Sequence, residues 1–216
     1  MDDLITRLRA VDTASLCDAG PDLRVLPPEI RSLAPGHRLA GPAVTVDAGD
    51  DLMSVLGGLL AAGPGDVLVV ATSGAGRAMA GELFGSEALR RGLAGIVIDG
   101  YCRDRATLSQ LDLPVFARGT TPRAASAQAV PRVGVAVRIG SVEIQPGDLV
   151  VGDGDGLIAG PRERFEAAID TAEAVIRRES ALLASIQDGR SLFDALNFDD
   201  HAARLRAGEP SSLSFS

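Results

Sequence analysis

Apolar positions in this chain recur with two periods, and the switches between them mark its elements. Leu4, Ile5 and Leu8 fall at helical spacing within residues 2–19, where a second helical start at Asp12 or Thr13 stops at Gly20. PDLRVLPPEI, which follows, reads as a loop. RLAGPAVTVD, Arg38 to Asp47, predicts a strand, and the apolar run from Leu52 to Ala62, closed by Gly63-Pro64-Gly65, predicts a helix. DVLVVAT and LAGIVID are continuously apolar, the pattern of strands buried on both faces, and LPVFAR is a third strand. GELFGSEALRRG and RDRATLSQL lie between them and fit short helices. A β-α-β-α-β series of this kind predicts a mainly parallel central sheet with helices packed on it.

The pattern changes after Pro122. VGVAVRI, VEIQ, LVVGD and GLIAGP are short strands separated by Gly and Pro, as in antiparallel hairpins. A long helix is predicted from Arg162 to Gln187, between Pro161 and Gly189, with Phe165, Ile169, Ala172, Ile176, Leu183 and Ile186 in one apolar stripe. Glu179 falls inside that stripe. A carboxylate on a buried face must be paired, bound to metal or protonated, so Glu179 is either a site residue or a marginal residue paired with an arginine. The expected organisation is one α/β domain over residues 1–188, long helix included, and a polar, serine-rich tail over residues 189–216 whose last residues fray.

Composition narrows the chemistry. At 216 residues, with mean hydropathy +0.18, the chain has the makings of a folded core. No apolar run approaches the roughly 20 residues of a membrane span, and the acidic start MDDLITRLRA does not resemble a secretory signal, so a cytoplasmic location is expected. A net charge of -8 repels a phosphate backbone, which argues against nucleic acid as a partner. Cys17 and Cys102 have no metal-ligand spacing and read as free thiols. All 21 basic residues are arginine. Schiff-base aldolases, pyridoxal-phosphate enzymes, Walker A loops and protein kinases each require a lysine, so none can be built here. With His37 and His201 alone, a two- or three-histidine zinc site has no good constellation and a Ser-His-Asp triad would depend on one of the two.

Two glycine-rich stretches have structural readings. TSGAGRAMAG follows a strand, but Met79 stands where a dinucleotide fingerprint needs its third glycine, so a loop over a different pocket is the better reading. GDGDG lacks the further ligands of a calcium loop and reads as a tight turn. The informative spacing is Gly81-Glu82 followed, after twenty intervening residues, by Arg103-Asp104. Each follows a strand of the predicted parallel sheet, so both belong at its carboxyl edge, where such sheets bind ligands. There the amides of Leu83, Phe84 and Gly85 could hold a carboxylate with Arg103 as partner, and Asp104 could hold a hard divalent ion. The structural alternative is a surface ion pair or helix cap.

At these residues the chain resembles the class II 4-hydroxy-4-methyl-2-oxoglutarate/4-carboxy-4-hydroxy-2-oxoadipate aldolases, relatives of regulator of ribonuclease activity A (RraA). The likeness runs through TASLCDAG, GPAVTV, GDVLVV, GELFGSEALRRGLAGIVIDGYCRD, LPVFARGTTPR and VEIQPGDLVVGDGDGLIAGP. It implies a swivelling β/β/α domain, homotrimers or homohexamers, and intersubunit sites using magnesium or manganese (Mg2+ or Mn2+) on a small 2-oxo acid. By the family motif, Glu82 helps position metal-bound water, Arg103 binds substrate and steadies an enolate, and Asp104 ligates the metal. Glu179 resembles the acidic residue supplied by a neighbouring subunit's C-terminal helix. The family has Gly, Glu or Asp where this chain has Thr107, which leaves the substrate open.

The implied reaction suits a chain without lysine, since a pyruvate enolate can be stabilised by a divalent ion beside an arginine, in aldol cleavage or in oxaloacetate decarboxylation. Decarboxylation alone, or dehydration of a hydroxy acid, would use the same groups. The alternative from another class is a non-catalytic regulator that binds a ribonuclease or other protein. Such regulators are expected to be shorter and to lack the long C-terminal helix. Cys102, beside Arg103, is either a favoured thiolate or an inert packing side chain.

Overall fold

A computed structural model describes residues 2–215. Its helices are α1 (Asp3–Ala10), α2 (Thr13–Ala19), α3 (Leu52–Ala61), α4 (Glu82–Arg90), α5 (Arg105–Leu108), α6 (Arg162–Gln187) and α7 (Phe198–Arg206), with a 3-10 turn at Leu192–Ala195. Its strands are β1 (Arg24–Val25), β2 (Arg31–Ser32), β3 (Leu39–Gly49), β4 (Val67–Thr72), β5 (Gly95–Cys102), β6 (Val115–Thr120), β7 (Val137–Ile139), β8 (Val142–Ile144), β9 (Leu149–Gly152) and β10 (Leu157–Gly160). The chain divides into two compact units, one running to Ala172 and the other from Glu173, so the division falls within α6.

In the first unit one sheet has the order β1-β10-β9-β3-β4-β5-β6-β2. β3 to β6 are parallel, as the alternating sequence pattern predicts, and β9, β10, β1 and β2 join antiparallel. β4 shows why its sequence is apolar throughout. Leu68 and Val70 pack on one side with Val55, Leu59, Ala88 and Leu108, whereas Val67 and Val69 pack on the other with Val137, Ile139, Val142 and Ile144. Successive side chains of a strand point to opposite faces, so a two-sided sheet needs apolar residues at every position. Helices thus cover one face and the hairpin β7–β8 the other, which is the swivelling β/β/α arrangement.

Most elements match the sequence pattern, and the differences have local causes. VGVAVRI forms a strand only at Val137–Ile139. Its first residues instead tie a loop to β3, through the Gly134 N–H to the Thr45 carbonyl at 2.9 Å and the Thr45 hydroxyl to the Val135 carbonyl at 2.6 Å. β1 and β2 contain two residues each, too few to show a period. The stretch after residue 188 holds the 3-10 turn and α7, started by Ser191 with a reciprocal capping box to Asp194. GDGDG is the β9–β10 turn, and its Asp153 is buried, accepting from the Thr13 N–H at 2.8 Å and the Thr13 hydroxyl at 2.7 Å. No described helix is long and apolar enough to cross a membrane.

Candidate active site

The site forms where β4 and β5 end. After Thr72 the chain does not turn directly into α4 but first forms an extended segment, parallel to the two others it lies between. Ala78 N–H donates to the Arg123 carbonyl and Met79 N–H to the Tyr101 carbonyl, each at 2.8 Å, and Arg103 N–H donates to the Ala80 carbonyl at 2.9 Å. Residues 78–80 are therefore bonded between the end of β5 and the stretch after β6. The TSGAGRAMAG run is the exposed loop and strap leading to α4, which agrees with the loop reading of its glycines.

Gly81 ends the strap and precedes the first turn of α4. A Cβ there would lie 2.5 Å from Asp104 Oδ2 and 2.9 Å from Arg103 Cγ, so only glycine lets α4 start against the Arg103-Asp104 turn. Asp104 is held in the left-handed conformation at φ 57°, the one described non-glycine residue with positive φ. Its Oδ2 accepts from the Glu82 N–H at 3.1 Å and lies 3.5 Å from Arg103 Nε. Both side chains stay about two-fifths exposed, Arg103 at 44% and Asp104 at 40%. The Glu82 carboxylate is exposed and has no partner among the described residues.

The Glu82 backbone, Arg103 and Asp104 thus come together, as their strand-end positions predict, whereas the Glu82 side chain lines neither the pocket at Arg103 nor the groove at Asp104. The helix-start amides divide differently from the expectation. Gly85 N–H is already spent on the Gly81 carbonyl at 3.0 Å, which leaves Leu83 and Phe84 as the amides open to a ligand. Their residues line a small pocket together with Leu52, Ala78, Ala80, Gly81 and Arg103. Leu52 and Ala124, which also borders the pocket, carry no chemical signature that a sequence search could find.

Glu179 differs from its reading as a carboxylate on a buried face. Along α6 only Phe165, Ala168, Ile169 and Ala172 are buried; Glu179 is exposed, as are Leu183 at 59% and Ile186 at 37%. Helical spacing identified a stripe, but it could not show that burial ends at Ala172. Cys102 is a packing residue: it is buried, its thiol faces the Gly119 carbonyl at 3.6 Å, and burial pushes it up to about 11. The favourable field of Arg105 does not offset that burial.

Among the described residues no three of His, Cys, Asp and Glu gather to hold a metal. Asp104 offers one carboxylate oxygen, Oδ1, beside an open pocket, while Oδ2 is engaged. Such a donor fits a hard ion that takes most of its ligands from water and substrate, as magnesium commonly does.

Residues 13–159 match the RraA-like family, described as Aldolase/RraA. The chain belongs to the Aldolase/RraA family. A protein of Halalkalibacterium halodurans named "Putative 4-hydroxy-4-methyl-2-oxoglutarate aldolase" is 36% identical over 188 residues, 86% of this chain and 90% of that protein. An uncharacterized protein from Pseudomonas syringae pv. tomato has a crystal structure that superposes with a TM-score of 0.77 at 30% identity, covering 90% of this chain and 96% of its own. Streptomyces coelicolor RraAS2, titled an unusual member of the RNase ES inhibitor RraA protein family, superposes with a TM-score of 0.75 at 30% identity, covering 88% and 98%. The Aldolase/RraA match contains Gly81, Glu82, Arg103 and Asp104 and ends before α6. RraAS2 matches 88% of this chain, so matched length by itself does not separate this chain from that inhibitor family.

Proposed function

We propose that this protein is a divalent-metal-dependent, class II pyruvate aldolase that cleaves 4-hydroxy-4-methyl-2-oxoglutarate-like substrates and decarboxylates oxaloacetate. The observation that carries the reading is the Arg103-Asp104 turn, held in a left-handed conformation against Gly81, with Arg103 bordering both the pocket at Leu83 and Phe84 and the groove that Asp104 lines. Arg103 and the Leu83 and Phe84 amides bind the carboxylate and 2-oxo group of the substrate. Asp104 Oδ1 would hold Mg2+ or Mn2+, which supplies Lewis-acid polarisation of the 2-oxo oxygen.

In cleavage, Glu82 takes the proton of the C4 hydroxyl through a water held at its carboxylate. The C3–C4 bond breaks and its electron pair passes into the pyruvate enolate. The Arg103 guanidinium neutralises the developing oxyanion, and a proton returned to C3 gives pyruvate. With oxaloacetate the same bond breaks with carbon dioxide as leaving group and the same enolate remains. Glu179, exposed on α6, is assigned as the acidic residue that a neighbouring subunit adds in a homotrimer or homohexamer.

The test is pyruvate release from both substrates by chelator-stripped protein, with and without added magnesium or manganese. Metal-dependent release from both, lost in Arg103→Ala, is the expected result; full activity in Arg103→Ala overturns the assignment. The second reading, a regulator that binds a ribonuclease or other protein, is favoured by the near-complete overlap with the inhibitor-family structure. Folded protein that releases pyruvate from neither substrate would favour this reading or action on another hydroxy acid.

A further inference from the structure

Most arginines of this chain are neutralised by carboxylates, for example Arg24 by Asp148, Arg118 by Asp99 and Arg162 by Asp2. Arg77, Arg105 and Arg123 have no carboxylate partner among the described residues, and all three border the candidate site. Arg105 lines an open groove with Arg103, Asp104, Thr121 and Pro122. Thr121 and Pro122 continue into a second groove lined by Gly76, Arg77 and Arg123. The backbone sets this order. Ala78 N–H donates to the Arg123 carbonyl at 2.8 Å, and Arg77 Nη1 reaches the Ala124 carbonyl at 3.5 Å. Ala80, which accepts from the Arg103 N–H, is three residues further on, at most about 10 Å of extended chain.

Four guanidinium groups and one carboxylate, Asp104, thus line two adjoining grooves that share Thr121 and Pro122, in a chain of net charge -8; the Asp50 carboxylate lies at the edge of the second, accepting from the Ala75 N–H at 3.3 Å. A cluster of unpaired positive groups in an acidic protein is held together against mutual repulsion and is suited to an anion longer than a single carboxylate. We propose that Arg77 and Arg123 form a subsite for the distal carboxylate of a 2-oxo dicarboxylic acid whose 2-oxo end lies at Arg103, with Arg105 adding charge between them. The proposal rests on the placement of the 2-oxo end given above. It makes Arg77 and Arg123 specificity-determining residues that bind the half of the substrate released as the second product.

Binding of two unreactive ligands tests it by calorimetry in the presence of magnesium: oxalate, which mimics the pyruvate enolate, and 2-oxoglutarate, which adds the distal carboxylate. Arg77→Ala and Arg123→Ala are each expected to weaken 2-oxoglutarate about tenfold, as loss of a charged hydrogen bond does, and to leave oxalate unchanged. Unchanged 2-oxoglutarate binding in both variants, or equal weakening of the two ligands, overturns the subsite. Absence of 2-oxoglutarate binding by the unaltered protein also overturns it. Arg103→Ala is expected to weaken both ligands. If it weakens neither while Arg77→Ala and Arg123→Ala still weaken 2-oxoglutarate, the placement of the reacting end fails and the anion subsite stands.

Discussion

Two neighbouring backbone positions determine whether the site can exist. Gly81 has no room for a Cβ because Asp104 Oδ2 would lie 2.5 Å away, and a carboxylate fixed by the Glu82 N–H cannot retreat without losing that bond. Gly81→Ala is therefore expected to fold, since extended backbone suits alanine, yet to lose at least about tenfold in pyruvate release through displacement of Arg103 and Asp104. A variant with unaltered kinetics would show that the turn yields freely. Asp104 poses the opposite problem, because its φ of 57° favours glycine over any residue with a Cβ. Asp104→Gly should be more stable than Asp104→Ala by about 1 kcal/mol in urea unfolding, while both lose the proposed metal-dependent activity. Equal stability of the two would mean that the left-handed turn relaxes once the carboxylate is gone.

At the scale of elements, Asp51 ties the start of α3 to the stretch after β6, beside the Leu52 N–H that donates to the Ser126 carbonyl at 2.6 Å. Asp51 caps α3 through the Met53 N–H at 2.9 Å and accepts from the Ser126 hydroxyl and the Gln128 N–H, each at 2.8 Å. Burial alone would raise its pKa, but these hydrogen bonds outweigh it and hold the carboxyl at about 2. A folded-state value below the ordinary one, about 3.9, gives stability that is present above pH ~4 and is lost as pH falls towards 2. Urea midpoints measured across that range should therefore fall. Asp51→Asn should be less stable than the unaltered protein at neutral pH, with the gap closing towards pH ~2; a gap independent of pH would place the effect elsewhere.

No sequence pattern announced this tie. β4, β5, α4 and the Gly81 to Asp104 spacing were legible because each depends on period or on chain order within a parallel sheet. Asp51 is 75 residues from Ser126 and 77 from Gln128, and meets them only after the sheet has formed. Arg77 and Arg123 were unread for the same reason, since a strap between β5 and the chain after β6 has no local signal. The apolar stripe of α6 was legible, but burial ending at Ala172 depends on what covers the helix rather than on its own spacing.

Across the whole molecule the charge distribution opposes the binding it supports locally. A net charge of -8 repels a dianionic substrate at long range, whereas the Arg77, Arg103, Arg105 and Arg123 groove attracts it at short range. The groups are exposed, so salt acts on both effects, but not equally. Raising ionic strength from about 0.01 to about 1 M shortens the screening length from roughly 30 to roughly 3 Å, which first removes the long-range repulsion and then weakens the contacts themselves. KM for 4-hydroxy-4-methyl-2-oxoglutarate is accordingly expected to change little at low salt and to rise several-fold towards about 1 M, with kcat steady. In the Arg77→Ala, Arg123→Ala double variant the high-salt rise should shrink, because the groups being screened are gone. If the variant keeps the full rise, the salt dependence belongs to Arg103 and Arg105, and Arg77 and Arg123 contribute no attraction.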